Sequence, residues 1–285
     1  MDTKRVASAF AIGLPALFAI LAGGVWLLSL IMVIVFYACK EYTIILRHKG
    51  FFPSFKIMFT SSVIFAALAY FNLFNLLPLA FTLSALAALM WVLFRGRQPY
   101  IANVATTLFG FLYCGWFPLH FIFLRNSGED MFMNLIPHAQ GAGYCLLILF
   151  AVLVTDTFCY IVGCKWGKNK LSPVISPNKT IEGSIGGTLM CMAFSLGIGF
   201  AIGLPWYHSV ILGILIAAFA QIGDLCESMI KRDAGVKDSS NVLPGHGGFL
   251  DRTDSYIMTI PVVYYYTQYF INSNIISDLF RGFGG

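Results

Sequence analysis

The sequence predicts an all-α fold: a polytopic membrane helix bundle of about nine transmembrane helices with the N-terminus cytoplasmic. Three observations predict it. The 285 residues are 58% hydrophobic and 11% charged, whereas soluble domains carry roughly 25% charged residues. Apolar runs approaching the roughly 20 residues of a spanning helix recur along the whole chain. The basic residues also follow those runs: of the 18 Lys and Arg, all but Arg125 and Arg281 fall on one side if alternate loops face the cytoplasm. Such a bias orients membrane proteins with their basic loops inside.

The apolar runs lie at about 7–22, 25–39, 57–72, 76–94, 101–124, 143–164, 184–203, 206–224 and 255–271. The first follows a short charged start containing Lys4 and Arg5. Another apolar run comes at once with no polar mature domain after a cleavage site, so this segment is expected to be retained. Helix-breaking residues separate several runs: Gly23 and Gly24, then Asn72 with Asn75 and Pro78, then Gly203 with Pro205. The seven cysteines all lie in or beside apolar runs and form no C-x-x-C pair, which suits packing residues rather than a disulfide or zinc framework. The formal net charge of +5 then reflects topology and an anionic membrane surface, and nucleic acid is not an expected partner. Two predicted inner loops, 165–182 and 225–254, are longer and far more polar than the rest.

Those loops hold most of the residues able to do chemistry. Carboxylates in hydrocarbon are costly and mark cavities or partners. Asp156 lies within the sixth run and Asp224 at the inner end of the eighth. Gln221, Asp224, Glu227 and Ser228 would share one face of a continuing helix, and Lys231 extends the stripe. Arg232, Lys237 and Asp238 follow. Next comes the glycine-rich run containing Gly245, His246, Gly247 and Gly248, then Asp251, Arg252 and Asp254. Such a loop brings backbone close to a ligand, and its N–H groups can cradle phosphate oxygens. Asp251 and Asp254 would lie one turn apart if the last helix begins there. Carboxylates beside so many cations would repel a polyphosphate unless a bound cation bridged them, which suggests Mg²⁺. In the other loop Lys179 is a candidate phosphate ligand, and Thr180 can cap the helix that follows. Gly183, Gly186 and Gly187 present a small-residue face for close packing of that helix.

The run Ser228-x-Ile230-Lys231-Arg232-x4-Lys237-Asp238-x-Ser240-x2-Leu243-Pro244-x-His246-Gly247-Gly248-Phe249-x-Asp251-Arg252-Thr253-Asp254 resembles the signature of the phosphatidate cytidylyltransferase (CDP-diacylglycerol synthase) family. Asp156-x3-Tyr160-x2-Gly163, the Ser176-to-Gly183 stretch and Thr107-Leu108-Phe109-Gly110-x2-Tyr113-x-Gly115-Trp116 are also similar to that family. Cys159 is a mild departure, standing where a small residue such as Ala is expected. The resemblance implies a bundle of about nine helices, often a homodimer, with a polar cavity open to the cytoplasmic leaflet of a bacterial inner membrane or an equivalent organelle membrane. It implies CTP and phosphatidic acid as substrates, CDP-diacylglycerol and pyrophosphate as products, and a metal centre on Asp224 and Asp251.

On that reading, residues 1–285 form one integral domain, with 1–140 giving N-terminal helices and 141–285 the catalytic helices and loops. Asp224 and Asp251 hold Mg²⁺, with a second monovalent or divalent cation as an option. Lys231, Arg232, Lys237 and Arg252 bind phosphates, joined by Lys179, and Asp238 and Asp254 orient them. His246 either donates to a phosphate or braces the loop, and Glu227 and Asp156 are outer ligands or cavity lining. Ser228, Gly247 and Gly248 complete the substrate-binding set. A CTP-dependent lipid-alcohol kinase would share the bundle and nucleotide, but the complete signature favours the cytidylyltransferase. A secondary transporter would keep its polar residues near the midplane, whereas these gather at helix ends and loops.

Overall fold

The computed structural model describes residues 3–127, 139–240 and 247–272. It is a helical membrane protein. Among the described residues ten α-helices run in order: α1 (Thr3–Ala22), α2 (Gly24–His48), α3 (Phe55–Tyr70), α4 (Leu77–Arg95), α5 (Tyr100–Gly110), α6 (Phe117–Arg125), α7 (Ala139–Trp166), α8 (Ile181–Ala201), α9 (Trp206–Asp233) and α10 (Leu250–Tyr266). A π-helical segment, Phe111–Trp116, joins α5 to α6, so Tyr100–Arg125 runs as one apolar rod. Among the described residues six helices are long and apolar enough to cross a membrane: Gly24–His48, Phe74–Arg95, Tyr100–Arg125, Gln140–Trp166, Ile181–Ala201 and Trp206–Asp233. Two shorter apolar helices are Gly13–Ala22 and Phe55–Tyr70.

The predicted breaks are where the chain turns. Gly23 and Gly24 adopt positive φ between α1 and α2, Asn72 does so after α3, and Gly203 before α9. Pro78 sits in the first turn of α4, where its missing N–H costs no hydrogen bond, and left-handed Gly96 ends that helix. Helix lengths differ from the apolar runs. α2 continues past Cys39 to His48, and α9 continues past Asp224 to Asp233, because a helix that leaves hydrocarbon can keep its backbone hydrogen bonds with a polar face in water. The loop 165–182 also contains structure: β1 (Lys170–Ser172) pairs antiparallel with β2 (Ser176–Thr180).

By internal contacts the chain forms two compact units, Met1–Ile122 with Cys226–Ile257, and Phe123–Leu225 with Met258–Gly285. In the first unit α1 packs on α2, α2 on α3, α3 on α4 and α4 on α5. α4 shows the membrane pattern clearly. Its inward positions are small, with Ala80, Ser84, Ala88 and Val92 buried, while Leu79, Leu83, Leu86, Met90 and Leu93 are exposed. Large apolar side chains outward and small ones inward are the arrangement that lipid as solvent permits. In the second unit α7 lies against α8 along the predicted glycine face. A Cβ on Gly183 would come 2.6 Å from the Cys159 carbonyl oxygen, and one on Gly187 would come 2.9 Å from that of Thr155. Thr180 caps α8 as predicted, its Oγ1 accepting from the Gly183 amide at 3.2 Å.

Candidate active site

In the first unit the signature residues converge on Asp251. Its side chain is 8% exposed. It accepts from Lys231 Nζ at 2.7 Å, from the Ser239 amide at 3.0 Å, from Ser239 Oγ at 2.8 Å and from the Gly248 amide at 2.8 Å. α10 starts at Leu250, so Asp251 and Asp254 share its first turns, and Asp251 reaches back over the loop that precedes it. Lys231, at the end of α9, bridges Asp251 and the fully buried Glu227 one turn earlier. Glu227 Oε1 is buried and accepts no hydrogen bond among the described residues. Burial alone would push the Asp251 carboxyl up. Glu227, Lys231, the Gly248 amide and Ser239 pull it the other way and hold it down at about 2.

The glycines of this loop are required by closeness. Gly247 has a φ of 78°, and a Cβ there would lie 2.7 Å from Asp251 Oδ2. A Cβ on Gly248 would collide with Ser239 Oγ and with a carboxylate that the sequence reading did not single out, Glu41.

Glu41 lies on the part of α2 beyond the apolar run and is 1% exposed. Its Oε1 accepts from Ser240 Oγ at 2.6 Å and from the Phe249 amide at 3.1 Å. Its Oε2 accepts from Ser239 Oγ at 3.0 Å and from the Leu250 amide at 2.8 Å. One turn earlier on α2, Tyr37 stacks on Phe249 with centroids 4.6 Å apart. α2 thus grips both ends of the signature loop, and the single hydroxyl proton of Ser239 stands between the Glu41 and Asp251 carboxylates, its amide donating to Asp251 as well. A lone acid directly after an apolar run was the available signal. Nothing local in the sequence connects it to a loop some 200 residues later.

In the second unit the neighbourhood of Asp224 is smaller. Lys179 Nζ meets Asp224 Oδ2 at 2.7 Å as an ion pair without hydrogen-bond alignment, both side chains partly open to solvent. Asp156 belongs to the same neighbourhood, since Cys159 feels the charges of Asp156, Lys179 and Asp224. β2 ends at Thr180, so the hairpin carries Lys179 to this point. Glu182 fixes the hairpin by accepting from the Lys168 amide at 3.0 Å and from Asn169 Nδ2 at 2.8 Å.

The structure therefore gathers Lys231, Glu227, Asp251, Gly247 and Gly248 around one carboxylate, with Asp254 near enough to act electrostatically on Glu227. It pairs Lys179 with Asp224, with Asp156 near enough to act electrostatically on the neighbouring Cys159. The two predicted metal-binding aspartates fall in different units, each paired with a lysine. Lys237 and Asp238 are exposed in the loop after α9, and Arg232 and Arg252 are exposed on α9 and α10. Ser228 lies on α9 beside Glu227. His246 falls outside the described residues. No group of three or more His, Cys, Asp or Glu suited to a metal occurs among the described residues.

Comparison with known proteins agrees with the signature. The model of the cytidylyltransferase family matches residues 3–270. The chain is 36% identical over 291 residues to a phosphatidate cytidylyltransferase of Synechocystis sp., covering 93% of this chain and 96% of that protein. It is 35% identical over 283 residues to the chloroplastic phosphatidate cytidylyltransferase 4 of Arabidopsis thaliana, covering 92% of this chain and 72% of that protein. A phosphatidate cytidylyltransferase of Staphylococcus aureus is 44% identical over 127 residues, covering 44% of this chain and 49% of that protein.

Proposed function

Since the chain belongs to the cytidylyltransferase family, we propose that it transfers the cytidylyl group of CTP to phosphatidic acid, giving CDP-diacylglycerol and pyrophosphate for phospholipid synthesis. The observation that supports this reading is the convergence on Asp251: Lys231, Ser239 and Gly248, spread along the signature, all donate to one carboxylate.

Phosphatidic acid carries a phosphomonoester whose second ionisation lies near pH 6, so its oxygen is a nucleophile without a catalytic base. That oxygen attacks the α-phosphorus of CTP, a new P–O bond forms, the bond to the β-phosphate oxygen breaks, and pyrophosphate leaves. The chain's task is to bring two polyanions together and hold them in line. Lys231, Arg232, Lys237, Arg252 and Lys179 supply the positive charge that binds phosphates. Asp238 and Asp254 orient those cations. The loop 247–249 is pinned from α2 and by Asp251, its Gly248 and Phe249 amides engaged by Asp251 and Glu41, and it fixes where Asp251 and Arg252 begin the last helix.

Hard divalent cations take oxygen donors. Asp224 and Asp251 offer carboxylate oxygens of this kind, each paired with a lysine in this structure. We assign Mg²⁺ to Asp224 and Asp251, with a second monovalent or divalent cation beside it. When bound it would neutralise triphosphate charge. We also propose a homodimer, and a cytoplasmic active site in a bacterial inner membrane or an equivalent organelle membrane. The basic residues crowding the polar loops support that orientation.

The test is purified protein with labelled CTP and phosphatidic acid. CDP-diacylglycerol and pyrophosphate as paired products are expected, with loss of turnover in Asp251→Asn and Asp224→Asn. CDP with a phosphorylated lipid alcohol would instead mark a kinase. Light scattering in detergent tests the dimer, and CTP consumption by sealed inside-out vesicles tests the sidedness.

A further inference from the structure

A second site lies in the first unit, outside the residues assigned to cytidylyl transfer. Where the C-terminal ends of α2 and α4 meet the N-terminal ends of α3 and α5, a cavity of about 630 Å³ opens. Arg47 of α2, Lys56 of α3, Arg95 of α4 and Arg97 of the α4–α5 connection line it, and its lining holds no acidic residue. All four cations are solvent-exposed, and none makes an ion pair among the described residues.

The walls are built rather than incidental. Asn103 of α5 is buried, with its Oδ1 accepting from the Phe52 amide at 2.7 Å and its Nδ2 donating to the Arg97 carbonyl at 2.9 Å. Thr107 Oγ1 accepts from the Ser54 amide at 3.0 Å. One buried side chain therefore holds the α2–α3 and α4–α5 connections at a fixed separation. The guanidinium of Arg95 lies 5.1 Å from the Trp91 ring, and that of Arg97 lies over the Phe52 ring at 3.3 Å. Stacking on rings limits the freedom of both guanidiniums and leaves their N–H edges for an acceptor.

Four like charges held together without a counter-carboxylate repel one another and are best satisfied by an oxyanion. The surroundings say where that anion comes from. Leu93, Phe94 and Ile101, next to the lining residues on both helices, are 75%, 79% and 86% exposed. They are faces for acyl chains, so the cavity stands at the boundary between lipid and water. We propose that it binds the phosphate of an anionic phospholipid headgroup, with the acyl chains lying along the exposed ends of α4 and α5. This proposal does not depend on the transferase reading and involves none of the residues assigned to it.

Trp91 in the cavity wall supplies the test. The full chain is placed in phosphatidylcholine nanodiscs doped with phosphatidylglycerol brominated on its acyl chains, and tryptophan quenching is compared with that by brominated phosphatidylcholine. Subtracting the Trp91→Phe signal isolates Trp91. Each basic residue at an anionic surface is worth a factor of roughly five. The wild type should therefore prefer the anionic lipid at Trp91 by at least about tenfold, and Arg47→Gln/Arg95→Gln/Arg97→Gln should abolish that preference. If the triple variant does not fold, the single variants Arg95→Gln and Arg97→Gln should each lose roughly a factor of five. Equal quenching by both lipids in the wild type, or a preference untouched by every variant, overturns the proposal. So does displacement of the brominated lipid by inorganic phosphate or CTP at equal concentration, which would make the site one for soluble anions.

Discussion

Replacing Glu41 by Gln would test whether α2 sets the geometry of the signature loop. All four contacts of Glu41 come from donors: two serine hydroxyls and the amides of Phe249 and Leu250. A glutamine keeps one acceptor oxygen and replaces the other with an NH₂ donor. Each oxygen of Glu41 serves one serine and one amide, so either orientation of the glutamine points its NH₂ at one serine and one backbone N–H. The hydroxyl can rotate and accept; the amide cannot. One hydrogen bond to a charged acceptor is lost and one buried N–H faces another donor, at a cost of about 2–4 kcal/mol. A kcal/mol is worth roughly 2–4 °C in a chain of this size, so thermal unfolding in detergent should fall by about 5–12 °C. Glu41→Asp keeps both acceptors on a shorter arm and should fall less. Because the loop positions Asp251 and Arg252, kcat should drop by at least about tenfold at temperatures where Glu41→Gln is still folded. A variant within 1 °C or so of wild type and within about twofold in kcat would refute the reasoning.

Four further outcomes follow from the structure. The Asp251 carboxyl is held at about 2 against an ordinary 3.8. Its stabilisation is therefore complete above pH 3.8 and is lost as pH falls toward 2, a difference of about 2 kcal/mol. In a thermal-shift series from pH 5 to 2, Asp251→Asn should show a flatter acid limb than wild type. Gly187→Ala places a methyl against Cys159 Sγ and the Thr155 carbonyl between α7 and α8. It should destabilise the chain by about 1–3 kcal/mol, whereas Gly197→Ala, whose Cβ meets nothing within 4 Å, should not. The Lys179 and Asp224 side chains are partly exposed but Lys179 Nζ itself is buried, so a double-mutant cycle should return about 1–2 kcal/mol in stability. Asp224→Asn should lower turnover far more than it lowers the unfolding temperature.

How far the sequence carried depended on what each residue touches. The turns at Gly23, Asn72 and Gly203 and the glycine face of α8 were legible because their causes are local: a positive φ, or a helix spacing of three and four. The signature named Lys231, Gly247, Gly248 and Asp251, which do assemble. Hydrophobicity marked where helices leave lipid but not where they end, so the polar turns of α2 were not counted as helix, and those of α9 were read only through the polar stripe from Gln221 to Lys231. Glu41 was lost with the first of those. The β1–β2 hairpin was hidden for a similar reason: its strands are three and five residues long and polar, and it is held by Glu182 from the following helix. The π segment at Phe111–Trp116 lies in an unbroken apolar run, where periodicity offers no warning.

The grip of Tyr37 and Glu41 on Ser239, Ser240, Phe249 and Leu250 has a consequence for how the protein is made. Every residue of the long signature lies in the final third of the chain, yet the scaffold that shapes it is synthesised among the first fifty residues. A fragment of residues 141–285, inserted into membranes by itself, would carry the whole motif and still be inert. Co-expression with residues 1–140 should return turnover, and the same split pair carrying Glu41→Ala should not.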